Sequence, residues 1–324
     1  MKKELGIFVL LVALCIVVSV LNPRFLSAAN LQNMSRLIGM YGIFSIGLGI
    51  VIITGGIELS VGSVFALQGV MLAIMLREWN WPWAVAALAV VLGSMVLGCL
   101  HGLLITQARM QPFIVTLCGL LFYRGLARFI AKDETKGFAN EGFGLLRSLA
   151  DLNVGGANGI PMPFVLLLII GAIMWVVLHR SVYGRYLFAV GRNEAAARYS
   201  GINSRLVIAS AYVVCMALAG IAGILIAFYT NSISPAGHGS FYELYGIAAA
   251  VLGGCSLSGG EGSIIGIVIG TALLQVLQNL VNLLGIPSSL NFAVMGAVIL
   301  LGVLADQLLG QRRAAGKGGA RLKS

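Results

Sequence analysis

Residues 55–63 read GGIELSVGS, a polar, glycine-rich stretch that separates two long apolar runs. Glycine adopts backbone conformations that other residues avoid, and clusters of this composition between patterned segments mark turns and breaks. A carboxylate at Glu58 must face protein or water in such a place, because lipid does not solvate a charge. The stretch therefore predicts two membrane helices joined by a short polar break.

The rest of the chain is strongly apolar. Of its 324 residues, 59% are hydrophobic and only 10% are charged, and the mean hydropathy is +0.98. A soluble domain of this size carries about 25% charged residues. The sequence has too few charged groups to cover a water-soluble globule, and it is predicted to be an integral membrane protein.

Nine apolar runs approach the roughly 17–25 residues that a membrane helix needs. They cover 5–21, 37–54, 61–76, 81–105, 112–131, 161–179, 206–228, 264–284 and 286–305. A shorter run at 246–254 is predicted to be a half-helix or a re-entrant segment, and counting it as a crossing gives ten helices. The predicted fold is an all-α polytopic membrane protein with a transmembrane domain at 1–305 and a basic, disordered tail at 306–324.

Lysine and arginine are unevenly distributed among the predicted loops. With the N-terminus inside, the cytoplasmic segments carry 13 of the 21 basic residues and the outer loops carry 6, while Arg124 and Arg128 lie within a span. Because cytoplasmic loops carry the excess of positive charge, both termini are predicted to be cytoplasmic. This orientation explains the net charge of +10 without nucleic acid.

Motifs for enzymatic chemistry are missing from the sequence. It has no GxxxxGK[ST] P-loop, no GxSxG and no HExxH, and its five cysteines are scattered singly through apolar runs. Neither a metal site nor a bound cofactor is expected. Paired carboxylates of the kind that proton-coupled carriers use are also missing from the spans. The chain is predicted to be neither an enzyme nor an ATPase in its own right.

The predicted cytoplasmic loop contains GRYLFAVGRNEAAARYSGINSR at 184–205. Asn193 is a good N-cap, Glu194 favours the positive end of the helix dipole, and Arg198 lies one turn further on. Gly201 supplies a helix stop. A short helix with a small-residue face at Ala195 and Ala196 is therefore expected between two spans, exposed to a partner or serving as a passive connector.

This loop resembles the coupling loop of ABC importer membrane subunits, in which EAA is followed closely by glycine. Gly201 falls one residue later than in the general pattern, and the downstream Ile-x-Leu-Pro element is missing. The wider chain resembles the ribose and related monosaccharide permeases over nearly its whole length. The matching stretches are residues 45–63, QPFIVTL…RG at 111–125, 184–203, LAGIAGI at 218–224, ELYGIAAAVLGGCSLSGGEGSIIG at 243–266 and NLLGIPSS at 282–289.

That resemblance implies a type II-like ABC importer permease of about ten helices in the bacterial plasma (inner) membrane. It implies a second permease copy or a close paralogue, a cytoplasmic ABC ATPase subunit and a periplasmic or extracellular sugar-binding protein. The family usually has Asp where this chain has Glu58, often Asp at Tyr245 and frequently Lys at Glu261, and these departures leave the sugar undetermined. A stand-alone secondary carrier for a small polar solute is the alternative.

A second glycine-rich stretch echoes the first. GGCSLSGGEGS at 253–263 shares with 55–63 the pattern GG-x-x-LS followed by GS. The predicted topology makes the two copies parallel. Broken segments in corresponding positions of two halves point to a transport pathway, although glycine and serine are also common in membrane turns.

Several residues are candidates for function. Residues expected to couple to the ATPase are Glu194, Ala195, Ala196, Arg198 and Gly201. Glu58 either starts a helix, with Ser60 as a local cap, or belongs with Ser60 to the pathway or its gate.

Other candidates lie within the spans. Arg124 and Arg128 share a helix face. They either snorkel outward or pair internally, or they form an outer rim that attracts acidic residues of the binding protein. Asn279 and Asn282 either line the pathway or bond a neighbouring helix. His101 is expected to be packed or hydrogen-bonded rather than to act as a proton relay.

Overall fold

A computed structural model describes residues 2–138, 143–156 and 159–287, together with 290, 293, 294, 296, 297 and 300. The described chain is mostly helical, as predicted. Its helices are α1 (Lys2–Leu21), α2 (Ala28–Ile53), α3 (Val61–Arg77), α4 (Trp83–Thr106), α5 (Pro112–Ala131), α6 (Gly144–Asp151), α7 (Met162–His179), α8 (Val182–Arg192), α9 (Glu194–Tyr199), α10 (Ser204–Thr230), α11 (Tyr242–Leu252) and α12 (Ile264–Leu283).

Seven of these helices are long and apolar enough to cross a membrane: α1, α2, α4, α5, α7, α10 and α12. α3 is apolar but has 17 residues, and α11 has 11. At about 1.5 Å per residue, α11 extends roughly 16 Å and cannot cross a hydrocarbon core of about 30 Å. A short helix is therefore present where a half-helix or a re-entrant segment was predicted. The predicted span 286–305 and the tail 306–324 fall largely or wholly outside the described residues.

Helix ends follow from local sequence. The Ser27 side chain accepts a hydrogen bond from the Asn30 backbone at the start of α2, and Ser263 caps α12 in the same way at Gly266. Pro112 occupies the first turn of α5, where its missing N–H costs no hydrogen bond. α5 ends at Lys132, which adopts the left-handed conformation. These caps explain why most predicted boundaries lie within a few residues of the observed ones.

α2 and α10 form the centre of the bundle. In their most apolar windows, 89% and 78% of the residues are buried, compared with 6% in α1 and 17% in α7. α10 packs against α4 and α2, and α2 also packs against α7, α11 and α12. The outer helices keep apolar faces exposed, as expected for a chain in lipid, and the protein is a multi-pass membrane protein.

The bundle has two ends with different character. One end, which we call the arginine end, contains the break at 54–60, the α4–α5 turn, the loop 180–205 and the stretch 253–263. The opposite end is called the strand end. At the strand end, β1 (Lys136–Gly137) pairs antiparallel with β4 (Ser232–Ile233), and β2 (Asn153–Val154) pairs with β3 (Ile160–Pro161). A short 3-10 helix, Pro23–Leu26, also lies there, beside the end of α12.

Candidate functional site: a buried break and the loop beside it

The break between α2 and α3 is held inside the protein by three helices. Gly55 adopts a φ of +80°, which suits glycine. The Ile57 carbonyl accepts hydrogen bonds from the Tyr212 hydroxyl at 3.2 Å and from the Thr116 hydroxyl at 3.4 Å. A Cβ at Gly56 would lie 2.6 Å from the Tyr212 hydroxyl oxygen, so only glycine fits there without a shift. α5 and α10 thus satisfy backbone groups that the missing helical turn leaves free.

Glu58 lies at the centre of a buried polar network. Its Oε2 is 2.7 Å from Nδ1 of His101 on α4, and the other ring nitrogen, Nε2, is 2.9 Å from the Tyr123 hydroxyl on α5. The side chains of Glu58 and His101 are each 2% exposed or less. The expected hydrogen-bonded histidine is confirmed, and its partner is the carboxylate of the break. Sequence spacing gave no indication of this pairing, because the two residues are 43 positions apart.

The cap of α3 differs from the prediction. Oε1 of Glu58 accepts hydrogen bonds from both the backbone N–H and the hydroxyl of Ser60, each at 2.7 Å. The Ser60 side chain makes no capping bond to α3, so the prediction that Ser60 caps this helix is wrong. The Glu58 carboxylate bonds the residue that precedes α3, and a negative charge near a helix start is favoured by the helix dipole. A part of Glu58 in the pathway or its gate stays a prediction.

The loop 180–205 forms two helices, α8 and α9, separated by Asn193. Asn193 caps α9 by accepting a hydrogen bond from Ala196 N–H at 2.9 Å, as predicted. Gly201 ends this region with a φ of +83°. Ala195 and Ala196 are exposed, so the small-residue face is open to a partner.

Glu194 connects this exposed helix to the bundle. Its Oε1 accepts a hydrogen bond from the Ser204 hydroxyl at 3.0 Å and lies 3.3 Å from the guanidinium of Arg198. Ser204 is the first residue of α10 and is buried. The Glu194 carboxylate therefore links α9 to the start of the central helix α10, in addition to the short connection at 200–203.

The two glycine-rich stretches meet each other and the end of α8. The glycine joint, as we name it, comprises Ile53, Gly55, Gly191, Gly259 and Gly260. Gly260 N–H donates to the Ile53 carbonyl at 2.8 Å, and a Cβ at Gly259 would lie 2.7 Å from the Gly191 oxygen and 3.0 Å from the Gly55 nitrogen. A Cβ at Gly191 would collide with the Ile53 carbonyl oxygen. Backbones approach this closely only where side chains are missing.

The joint places the sequence echo in three dimensions. α2 and α11 both end at the arginine end, and α3 and α12 both begin there, so the two hairpins turn in the same direction. The echo predicted related breaks but gave no indication that they touch. Of the joint residues, Gly55 belongs to the shared pattern, whereas Gly259 and Gly260 lie in the insertion that lengthens the second stretch.

The two span arginines have different surroundings. Arg124 donates to the carbonyls of Pro235 and His238, at 3.2 and 2.6 Å, in the non-helical segment that precedes α11. Arg128 is exposed and pairs with Asp133 at 2.7 Å, and this contact holds the pKa of the Asp133 carboxyl below its usual value. Arg124 therefore stabilises an irregular backbone, which lipid would not solvate, and docking of a partner at either arginine stays a prediction.

His238 itself is buried between these elements. Its ring nitrogen Nε2 has no hydrogen-bond partner among the described residues. Burial, together with the neighbouring Arg124, lowers the pKa of His238 to about 4, so the ring is neutral near pH 7. The sequence analysis did not single out this residue, because a lone histidine in a glycine-rich loop carries no pattern.

The two asparagines of α12, Asn279 and Asn282, also have different surroundings. Asn279 exchanges two hydrogen bonds with Asn30 of α2, at 2.7 and 3.0 Å, which ties the two helices together near the strand end. Asn282 is exposed. Of the two readings predicted for these residues, Asn279 has the contact with a neighbouring helix, whereas lining of the pathway stays a prediction for both.

The chain is similar to known membrane permeases over most of its length. A family model described as branched-chain amino acid transport system / permease component matches residues 30–303. The ribose import permease protein of Bacillus subtilis (strain 168) is 39% identical over 308 residues, covering 94% of this chain and 93% of the relative. That of Escherichia coli (strain K12) is 40% identical over 301 residues, covering 91% of each.

A more distant relative widens the range of named substrates. The D-allose transport system permease protein of Escherichia coli (strain K12) is 31% identical over 312 residues, which cover 94% of this chain and 91% of the relative. No solved structure matches the chain.

Proposed function

The chain belongs to the family of permease components described for branched-chain amino acid transport systems, and from this membership we propose that it is the membrane permease of an ATP-driven sugar importer. The substrate is a monosaccharide of the ribose class, because the most similar relatives reported above carry that name. A separate sugar-binding protein delivers the sugar, and a separate ATPase drives the cycle. The permease works with a second copy or a close paralogue in the bacterial inner membrane.

We propose that the arginine end faces the cytoplasm and that the ATPase docks on α8 and α9. Cytoplasmic segments carry the excess of lysine and arginine, and the loop 180–205 holds five arginines. The N-terminus is cytoplasmic in this orientation, and the strand end faces the binding protein. The C-terminus is cytoplasmic as well if the predicted span 286–305 crosses the membrane.

One observation carries the proposal: an exposed helix whose Glu194 carboxylate bonds the first residue of the central helix, Ser204. An ATPase that moves α9 would move the start of α10 with it. α8 would at the same time press on the glycine joint, and thus on the break at 54–60. The docking surface is therefore connected to the interior by two short routes.

The test is reconstitution of the permease with its ATPase and binding protein in proteoliposomes. Ribose added with the binding protein should stimulate ATP hydrolysis and uptake. D-Allose and branched-chain amino acids complete the panel, since relatives and the family model name them. Stimulation by an amino acid, and by no sugar, would replace the proposed substrate class.

Variants of the loop test the coupling route. Glu194→Gln and Gly201→Ala should lower coupled ATPase activity and uptake more than they lower membrane insertion. Glu134→Gln is the matched control, because Glu134 is an exposed carboxylate at the strand end. Unchanged coupling in both loop variants would remove the assignment. Uptake by the permease alone, driven by an ion gradient, would instead establish a secondary carrier.

A further inference from the structure

A groove opens between the arginine end of α4 and the start of α10. Its volume is about 460 Å³. Leu103 and Gln107 line it from the α4 side, and Asn203, Arg205 and Leu206 line it from the α10 side. Arg198 of α9 closes its outer edge. None of these residues belongs to the buried network around Glu58.

The walls of the groove differ in chemistry along its length. Leu103 and Leu206 are 47% and 67% exposed. Leu103 lies on α4, which is mostly exposed, and Leu206 lies in the first turn of α10, outside the buried part of that helix. At the rim, Gln107 and Asn203 lie just outside the ends of α4 and α10, Arg198 lies in α9, and Arg205 lies in the first turn of α10. The groove is thus apolar toward the membrane and basic toward the solvent.

Positive charge at the rim is not balanced by the protein. A neighbouring cavity of about 430 Å³ shares Arg198 and Arg205 and adds Arg109. Glu194 is the single carboxylate among the residues that line the two cavities. Its one ion pair within the described residues is with Arg198, at 3.3 Å, which leaves Arg109 and Arg205 without a carboxylate partner in this part of the chain.

We propose that this groove binds an anionic phospholipid. The headgroup phosphate lies between Arg198 and Arg205, and an acyl chain follows Leu103 and Leu206 into the bilayer. Arginine presents a planar fork of donors that fits phosphate. Basic pockets between membrane helices at the cytoplasmic side bind lipid headgroups of this kind. A soluble anion would use the arginines alone and leave the apolar wall uncovered.

A lipid bound at Arg198 would also affect coupling to the ATPase. This regulatory role rests on the proposed function. A phosphate competes with Glu194 for the Arg198 guanidinium. Glu194 then keeps its hydrogen bond with Ser204, while α9 loses the i,i+4 ion pair that runs along it. The lipid therefore alters how α9 is held to α10.

Binding is tested on the purified permease in nanodiscs of phosphatidylcholine and phosphatidylglycerol, by quantifying the lipid that co-purifies after transfer to detergent. The wild type should retain phosphatidylglycerol preferentially. Arg205→Gln and Arg198→Gln should each weaken retention about fivefold, as expected for one basic residue near a lipid headgroup. Arg205→Lys should retain most of the binding, and Arg180→Gln, a charge-matched control outside the groove, all of it.

Three outcomes would overturn the proposal. The first is equal retention of the neutral and the anionic lipid by the wild type. The second is an equal loss in Arg180→Gln, which would indicate a general charge effect. The third is displacement of phosphatidylglycerol by inorganic phosphate alone, which would indicate a soluble-anion site. Thermal unfolding of each variant in detergent excludes a folding defect as the cause.

Coupling is tested by ATPase activity of the full complex in the same two lipid compositions. Activity should depend on phosphatidylglycerol in the wild type and lose that dependence in Arg205→Gln. Lipid dependence that persists unchanged in Arg205→Gln would overturn the regulatory role. A complex that shows no substrate-stimulated activity in any lipid would contradict the proposed function instead, and the retention measurement would still decide the lipid site.

Discussion

The breaks at 54–60 and 253–263 share a sequence pattern but differ in what holds them. The first is fixed by side chains of α4, α5 and α10, and its Glu58 is 1% exposed. At the matching position of the second stands Ser256, half-buried, in a loop closed by its own backbone bonds from Ser256 N–H to Glu261 and from Gly259 N–H to Ser256. Only the first break buries a charged side chain.

The same glycine pattern can therefore form either a break that buried side chains hold rigidly or a surface turn that opens easily. A break held by buried hydrogen bonds resists local opening, because every bond lost leaves an unsatisfied group. A break closed by its own turns at the surface exchanges its bonds with water at little cost. The joint between them brings a rigid element into contact with a deformable one.

The largest loss of stability is expected for His101→Leu. This change leaves the Glu58 carboxylate buried without its ring partner and should destabilise the protein by about 3 kcal/mol or more. Ser256→Ala, at the matching place in the second break, should change stability by less than about 0.5 kcal/mol. Thermal unfolding in detergent measures both.

A double variant tests whether the buried charge is the cause. Glu58→Gln in the His101→Leu background removes the charge and keeps an acceptor for Ser60, so it should recover much of the lost stability. No recovery would mean that packing of the imidazole, rather than charge pairing, holds the first break.

A somewhat smaller effect is expected for Gly191→Ala. The added methyl group would overlap the Ile53 carbonyl and force the joint apart, at a cost of about 1–3 kcal/mol. Coupled uptake should fall by more than the loss of folded protein explains, because the joint lies on one of the two proposed routes from the ATPase docking surface to the interior. Gly125→Ala, where a Cβ meets nothing within 4 Å, serves as the control. Uptake that falls equally in both variants would contradict a special role of the joint.

Tyr212→Phe should have a moderate effect. It removes the hydroxyl that donates to the Ile57 carbonyl and leaves Thr116 as the remaining donor, which costs about 1 kcal/mol. The aromatic ring still fills its place, so expression should be unchanged. A midpoint of thermal unfolding equal to that of the wild type would show that the Thr116 hydroxyl is sufficient.

The smallest effect is expected on the rate at which a maleimide modifies the Cys255 thiol. Burial raises the pKa of the Cys255 thiol to about 12, whereas an ordinary thiol has a pKa of about 8.5. In a variant without the other four cysteines, modification by a maleimide should be slow. Its rate should also keep rising with pH above 9, where a free thiol levels off. Gly191→Ala should accelerate labelling, and an unchanged rate would separate Cys255 from the joint.

Much of the fold was predictable because helix length and capping are local properties. The apolar runs placed most helix ends within a few residues, Asn193 was recognisable as a cap, and the short run near 246–254 was already too brief to cross. α2 was the exception, since its first turns at 28–36 are polar enough to hide the helix start. Those turns stay helical because Ser27 caps them and Asn30 bonds Asn279.

The contacts of the site were less predictable. Glu58 was expected in a protein-lined place, and it is buried, but its partners on α4 and α5 depend on how distant helices pack. Ser60 was expected to cap α3, which is wrong because its backbone is helical (φ −90°, ψ −3°) rather than extended, and its hydroxyl is directed toward the Glu58 carboxylate. The glycine joint brings the two breaks together with the end of α8, and no local pattern encodes which backbones approach each other.

The shortness of α11 also bears on how the protein is made. An 11-residue helix, preceded by irregular backbone at 234–241, cannot rest in the bilayer alone, because its unsatisfied carbonyls would face hydrocarbon. It needs Arg124 from α5, and it packs on α2 and α12, one synthesised long before it and one just after. Biosynthetic insertion is thus incomplete until α12 emerges, and a ribosome stalled before residue 264 leaves a chain that quality-control proteases should recognise.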